Sequence, residues 1–217
     1  IPIAANVPLY VGVDFGLTPA AVIGQKVRGR WFLQAEIVAI DMGIVRFSEV
    51  LRQELATRFA AAGEVIIYGD PSGDFRAQTD ESTPFHIMRG AGLRAFPAPS
   101  NSVDLRLEAV SSQLTKMTEG KPALLIDRRC TQLIKGFEGG YAYKRMQVSG
   151  ERFDDKPDKN MFSHVHDAAQ YLFLGAGEGR ALMNSQKPAV ASVAKRDFDV
   201  FNRKPNQRKR QGLWSRL

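Results

Sequence analysis

Along the first half of the chain, apolar runs of strand length give way to helical periods and back again. Residues 8–15, PLYVGVDF, end at Gly16 and Pro19 and predict a short buried strand. Residues 20–27, AAVIGQKV, and 31–40, WFLQAEIVAI, predict two more. The links between them are short, with Gly29 at the second turn, so an antiparallel meander is expected. Over 45–62 the period becomes helical. Val45, Val50, Leu51, Leu55 and Phe59 fall toward one side and Arg52, Glu54 and Arg58 outside, with Gly63 as the stop. Residues 64–69, EVIIYG, are nearly all apolar, as a central strand should be. Residues 71–82 are polar and loop-like, 84–90 predict a short helix, and 92–97 a fifth strand ended by Pro97 and Pro99.

The second half continues the alternation. Ser102 or Asn101 can cap a helix over 103–118, with Leu105, Val110, Leu114 and Met117 on its apolar side. Residues 123–127, ALLID, predict a strand and 130–137 a helical turn. Residues 141–153 predict a hairpin, YAYKRMQV and RF about an SGE turn, and 154–160, DDKPDKN, a charged loop. A helix over 163–175 follows, with Ser163 as N-cap and Val165, Ala168, Ala169, Leu172 and Phe173 buried. Beyond Gly179 the pattern fades into a Pro-, Lys- and Arg-rich stretch. The expected organisation is a folded domain over 1–180 and a basic, flexible tail over 181–217. The element order predicts an α/β fold: a mixed central sheet flanked by helices, with an added β-hairpin. It is similar to the order of a ribonuclease H-like fold. In that architecture the first strand, the fourth strand and the last helix meet at one end of the sheet.

Composition narrows the classes. The 217 residues suffice for one domain with a real core, and 44% hydrophobic with 24% charged residues is a globular balance. No run approaches the roughly 20 apolar residues of a membrane span, and the N-terminus lacks the charged and apolar regions of a secretory signal. The chain starts at Ile1, as expected of a processed chain or excised domain. A single cysteine, Cys130, excludes a disulfide framework or a thiolate zinc cluster and fits a reducing compartment; its apolar neighbours predict a packed thiol. The net charge of +7 is concentrated near the end, where residues 195–217 hold eight basic and two acidic side chains. A polyanion such as DNA suits that segment, and so does a solvated terminus.

Three aspartates stand out: Asp14 in VGVDFG, Asp70 in VIIYGDPSG and Asp167 in SHVHDAAQYL. Two end apolar strands and the third opens an apolar helix. A buried carboxylate is costly unless it is paired or holds a metal. Three of them converging would make an oxygen site for Mg²⁺ or Mn²⁺. Each also has a plain reading: Asp14 as a strand end, Asp70 as a turn former before Pro71 and Ser72, Asp167 as a first-turn helix acid.

The stretch KPDKNMFSHVHDAAQYL (156–172) resembles the last nuclease motif of large terminase subunits, the DNA-packaging motors of tailed bacteriophages. The matching positions are Pro157, Lys159, Asn160, Phe162, Ser163, His164, Asp167, Ala168 and Tyr171, with Ala169 where a Leu is usual. VGVDFG and YGDPSG resemble the family's first two acidic motifs. The resemblance implies a ribonuclease H-like endonuclease domain that cuts concatemeric double-stranded DNA in the cytoplasm of the host cell, with the portal protein and small terminase subunit as partners. It implies that Asp14 bridges two Mg²⁺ or Mn²⁺ ions and that Asp70 and Asp167 each help to hold one. Two such ions can clamp the attacking and leaving oxygens of a phosphodiester. The family's ATPase half is not in this chain, since no G-x-x-x-x-G-K-[ST] occurs.

Further residues are candidates with competing plain readings. Asp74 and Asp158 could be auxiliary metal contacts or solvated loop acids. His164 lies one helical turn before Asp167 and could orient a ligand, contact phosphate or make a structural hydrogen bond. Lys144, Arg145 and Arg152 on the hairpin, and Lys156 and Lys159 in the charged loop, could touch DNA phosphates. Tyr141, Tyr143 and Phe153 are expected to pack, and His166 to face away from His164. VGVDFGLT also resembles the first phosphate motif of actin-like ATPases and sugar kinases, a reading that needs a second lobe. An inactive DNA- or portal-binding module acting through the tail is the non-enzymatic alternative.

Overall fold

The computed structural model describes residues 1–74, 82–145 and 153–179. The chain divides into Ile1–Gln186 and Lys187–Leu217, and the second unit lies outside the described residues. A six-stranded sheet runs through the first unit. Its strands are β1 (Leu9–Asp14), β2 (Ala20–Val27), β3 (Arg30–Val38), β4 (Val65–Gly69), β5 (Ala95–Pro97) and, after the small hairpin β6 (Met117–Thr118) and β7 (Lys121–Pro122), β8 (Leu124–Ile126). The order across the sheet is β5-β4-β1-β2-β3-β8. β1, β2 and β3 form the expected antiparallel meander, while β4 and β5 extend it on one side and β8 on the other by parallel pairing. The central β1 pairs Leu9 to Val13 with Val65 to Gly69 in register.

Helices cover both faces. The period-two alternation of β1 sends Leu9, Val11 and Val13 into one core, which holds Phe47, Leu51 and Leu55 of α1 (Ile44–Arg58) and Phe85 and Met88 of α2 (Pro84–Gly90). Ala20, Val22, Trp31 and Leu33 face the other core. There they meet Leu105 and Ala109 of α3 (Val103–Thr115), Leu133 of α4 (Thr131–Lys135) and Val165, Ala168, Leu172 and Phe173 of α5 (Ser163–Gly175). β9 (Tyr143–Arg145) and β10 (Phe153–Pro157) form the added hairpin; its connection, 146–152, lies outside the described residues. So does the region 181–217.

Two helix faces differ from the periodic reading. On α1, Val45 is 59% exposed and Phe47 is buried in its place. α3 ends at Thr115, short of the expected 118, so Met117 falls in β6; it and Leu114 are exposed, whereas Arg106 and Gln113 are buried beside Leu105 and Val110. Both polar side chains have distant partners, Asp167 and Glu178, so burial costs them less than their type suggests. The α5 entrance also differs. Ser163 is the first helical residue and Phe162 the N-cap, with no side-chain cap; the Ser163 hydroxyl instead donates to Asn160 O (2.8 Å), and the Asn160 side chain accepts from Phe162 N–H (2.9 Å). Cys130 is buried and free, its thiol pushed up to about 12 chiefly by burial.

Candidate functional site

The parallel pairing of β1 and β4 puts their C-terminal ends side by side. Asp14 is the last residue of β1. Asp70 directly follows β4, and its N–H donates to Val13 O (3.3 Å). Gly12 and Asp14 share the face of β1 opposite to Val11 and Val13. On that face α5 comes down onto the strand with no side chain between. A Cβ on Gly12 would overlap the Ala168 carbonyl and fall 2.7 Å from Leu172 N. The backbone-to-backbone approach is possible only with glycine. It places the opening turns of α5, and hence His164 and Asp167, over the end of β1. Gly175 repeats the device farther along, against the Tyr68 ring of β4.

Each carboxylate has its own surroundings. Asp14 is buried, and its Oδ2 lies 3.0 Å from His164 Nδ1. Burial raises the Asp14 carboxyl to about 6; the His164 hydrogen bond pulls it down and the charge of Asp167 pushes it up again. Asp70 Oδ1 accepts from Ser72 N–H (2.8 Å) and Asn101 Nδ2 (3.0 Å). Asp167 is buried between two cations: Arg106 at 3.1 Å and the Lys159 ammonium. The Tyr141 hydroxyl approaches the same carboxylate at 3.5 Å and accepts from Gln170 Nε2 (2.9 Å).

Tyr171 links the surroundings of Asp70 to those of Asp167. Its hydroxyl donates to Asn101 Oδ1 (2.9 Å), and Arg106 stacks 4.9 Å from the centre of its ring. Burial holds this phenol far above its ordinary range. Arg106 opposes that, while the negative charges of Asp70, Asp14 and Asp167 all add to it. A continuous polar chain runs from Asp70 through Asn101, Tyr171 and Arg106 to Asp167.

Among the described residues, no three His, Cys, Asp or Glu side chains stand as a ready-made metal-holding group. Asp167 is turned to Arg106 and Lys159 instead. The donor chemistry nevertheless fits a hard dication: three carboxylates at one sheet end, one of them kept from ionising freely by burial and a neighbouring negative charge.

The other predicted residues divide. His164 joins the site through Asp14, and Lys159 reaches Asp167. Asp158, Lys156 and Lys144 are exposed and make no contact with the three acids among the described residues. Asp74 ends a short turn after Asp70 and Arg145 ends β9, but their side chains lie outside the described set, as does all of Arg152. His166 faces away: it contacts Leu133 O (3.1 Å) and stacks on Tyr141, 4.6 Å between ring centres. Burial lowers it to about 4. Sequence reasoning missed Arg106 and Asn101 and treated Tyr141 as packing alone. A basic residue beside Leu105 on the apolar side of α3 was the available signal.

No family model and no curated protein matches the sequence. Solved structures do match its fold. The large terminase of a thermophilic bacteriophage, known in several crystal forms, aligns with a TM-score of 0.57 at 18% identity, over 81% of this chain and 41% of that one. The nuclease domain of the P22 large terminase aligns at 0.57 and 14% identity, over 86% and 90%. The large terminase nuclease of thermophilic phage G20c with bound cobalt aligns at 0.50 and 10% identity, over 77% and 81%. This chain spans about two fifths of the first of these terminases. The ribonuclease H-like architecture expected from the element order is the one observed.

Proposed function

We propose that this chain is the metal-dependent endonuclease domain of a DNA-packaging terminase, cutting double-stranded DNA by phosphodiester hydrolysis. The observation that carries the reading is the placement of Asp14 and Asp70 at the neighbouring C-terminal ends of β1 and β4, with α5 packed on β1 so that His164 reaches Asp14, in a fold shared with terminase nuclease domains. The cobalt in the G20c nuclease supports a divalent cation at such a site.

Asp14, Asp70 and Asp167 would hold the Mg²⁺ or Mn²⁺ ions, two in this reading. Bound there, the ions would supply a water acidic enough to attack and a counter-charge for the departing 3′ oxygen. The chain's own residues do the arranging. His164 fixes one oxygen of Asp14. Asn101 fixes one oxygen of Asp70 and is itself held by Tyr171. Arg106 fixes Asp167 and is held over the Tyr171 ring. Burial of Asp14 and Asp167 excludes water from the carboxylates and strengthens their hold on any cation that enters.

Residues 1–180 would form the nuclease domain and 181–217 a basic tail that aids contact with DNA or the portal. Partnership with the portal and small subunit, and action in the host cytoplasm, belong to the same reading. No helix among the described residues is long and apolar enough to cross a membrane. The kinase-type reading needs a second lobe, whereas the described residues contain one large sheet.

Supercoiled plasmid incubated with the protein and Mn²⁺ should be nicked and linearised, and EDTA should stop it. Binding of ATP without nicking would favour the kinase-type reading and overturn this one.

A further inference from the structure

Asp167 carries two positive partners of different character. Arg106 is buried, with its side chain 8% exposed, and is packed against the Tyr171 ring. It cannot leave without opening the α3–α5 interface. Lys159 is the opposite case: its side chain is 73% exposed, yet its ammonium touches a carboxylate that is 3% exposed. It enters from the segment between β10 and α5, reaching in from solvent. An ammonium is a compact point charge on a flexible chain, which suits exchange rather than permanent binding.

Arg106 already gives Asp167 one positive partner. With Asp14 and Asp70 nearby the site sets three carboxylates against that one buried cation, so it calls for more positive charge than Arg106 provides. Resting on the metal-dependent reading above, we propose that Lys159 is a built-in stand-in for the dication. Its ammonium occupies the open side of Asp167 while the site is empty and is displaced when the ion binds. Arg106 stays, as the positioning residue of the same carboxylate. Once released, Lys159 remains within reach of the site rim, where a DNA phosphate must lie for the acids to act on it. The residue thus trades one anionic partner for another, and the exchange couples ion loading to substrate grip.

Competition sets the sign of the test. If the ammonium must leave before the ion enters, removing its charge tightens ion binding. Even with the screening of bulk water, one unit charge about 4 Å away is worth roughly 1 kcal/mol, so roughly five- to tenfold in an equilibrium constant is the least to expect at this buried carboxylate. Mn²⁺ titration by calorimetry, without DNA, should show Lys159→Met binding at least roughly five- to tenfold tighter than the unaltered protein. Lys159→Arg, which keeps the charge, should stay near the starting affinity. The exposed stem makes loss of folding in Lys159→Met unexpected, and circular dichroism checks it. With a short duplex added, Lys159→Met should bind DNA more weakly in the presence of Ca²⁺, which occupies carboxylate sites. Unchanged or weaker Mn²⁺ binding by Lys159→Met, where the unaltered protein binds Mn²⁺ and Asp167→Asn does not, overturns the stand-in role and leaves the metal reading intact. Absence of Mn²⁺ binding by the unaltered protein overturns both.

Discussion

Replacing Asp14 by Asn should make the metal-free protein more stable at neutral pH while removing its cleavage activity. The magnitude follows from the surroundings of the side chain. Burial, assisted by the charge of Asp167, moves the carboxyl from 3.8 to about 6 in the folded chain. About two pH units of separation correspond to roughly 3 kcal/mol. The folded state therefore keeps its proton at pH values where the unfolded chain has lost it. Stability from this group is complete below about pH 4 and is lost as pH rises through about 6. An asparagine has no proton to lose, so the variant lacks that decline. In EDTA, the two proteins should differ little at pH 4. At pH 7.5 the variant should be ahead by roughly 2–3 kcal/mol, or roughly 5–10 °C in melting temperature for a domain of this size. Urea or thermal melts from pH 4 to 8 read this directly. Adding Mn²⁺ should recover the gap in the unaltered protein and leave the variant where it was. Parallel stability curves across the whole range would refute the reasoning, because they would mean that ionising Asp14 costs the fold nothing.

Asp70→Asn and Asp167→Asn should each abolish plasmid cleavage with circular dichroism unchanged, and full activity in either would remove that residue from the site. Gly12→Ala should destabilise the domain by roughly 1–3 kcal/mol in urea melts and lower cleavage, because the methyl group must push α5 off β1; an unchanged midpoint would contradict the close approach. Asn101→Ala should weaken Mn²⁺ binding through the loss of its bond to Asp70, whereas Asn101→Asp, which cannot donate there when ionised, should not restore it; calorimetry decides. Deleting residues 195–217 should lower DNA affinity and flatten its salt dependence, and unchanged binding curves would remove the tail from DNA contact.

The sequence made the scaffold of the site legible because its elements obey simple periods. β1, β2, β4 and α5 are long or uniformly apolar, and the structure places them within a residue or two of where the pattern does. Asp14 ends β1, Asp70 directly follows β4 and Asp167 stands in the second turn of α5, so their placement came with those elements. What stayed hidden was polar and non-local. Arg106 drew no reading from the pattern, because its partner, Asp167, lies 61 positions away. Asn101 matched a helix cap, but its side chain serves Asp70 and Tyr171 instead, two tertiary partners that outweigh a local one. Val45 fitted the apolar stripe of α1 and is exposed, since Phe47 fills the core beside Leu51. A lysine in a charged loop gave no sign that it turns inward to a buried carboxylate.

The contact at Gly12 has a consequence for inheritance. Where most helices sit on a sheet through a cushion of interleaved side chains, α5 rests on β1 main chain to main chain. The separation between Asp14 and Asp167 is thus fixed by atoms every amino acid shares. Core residues elsewhere can be exchanged and repacked without transmitting their changes in size to the acids. A lineage can rewrite nearly all its sequence around such a joint and keep its spacing, needing only to preserve one glycine.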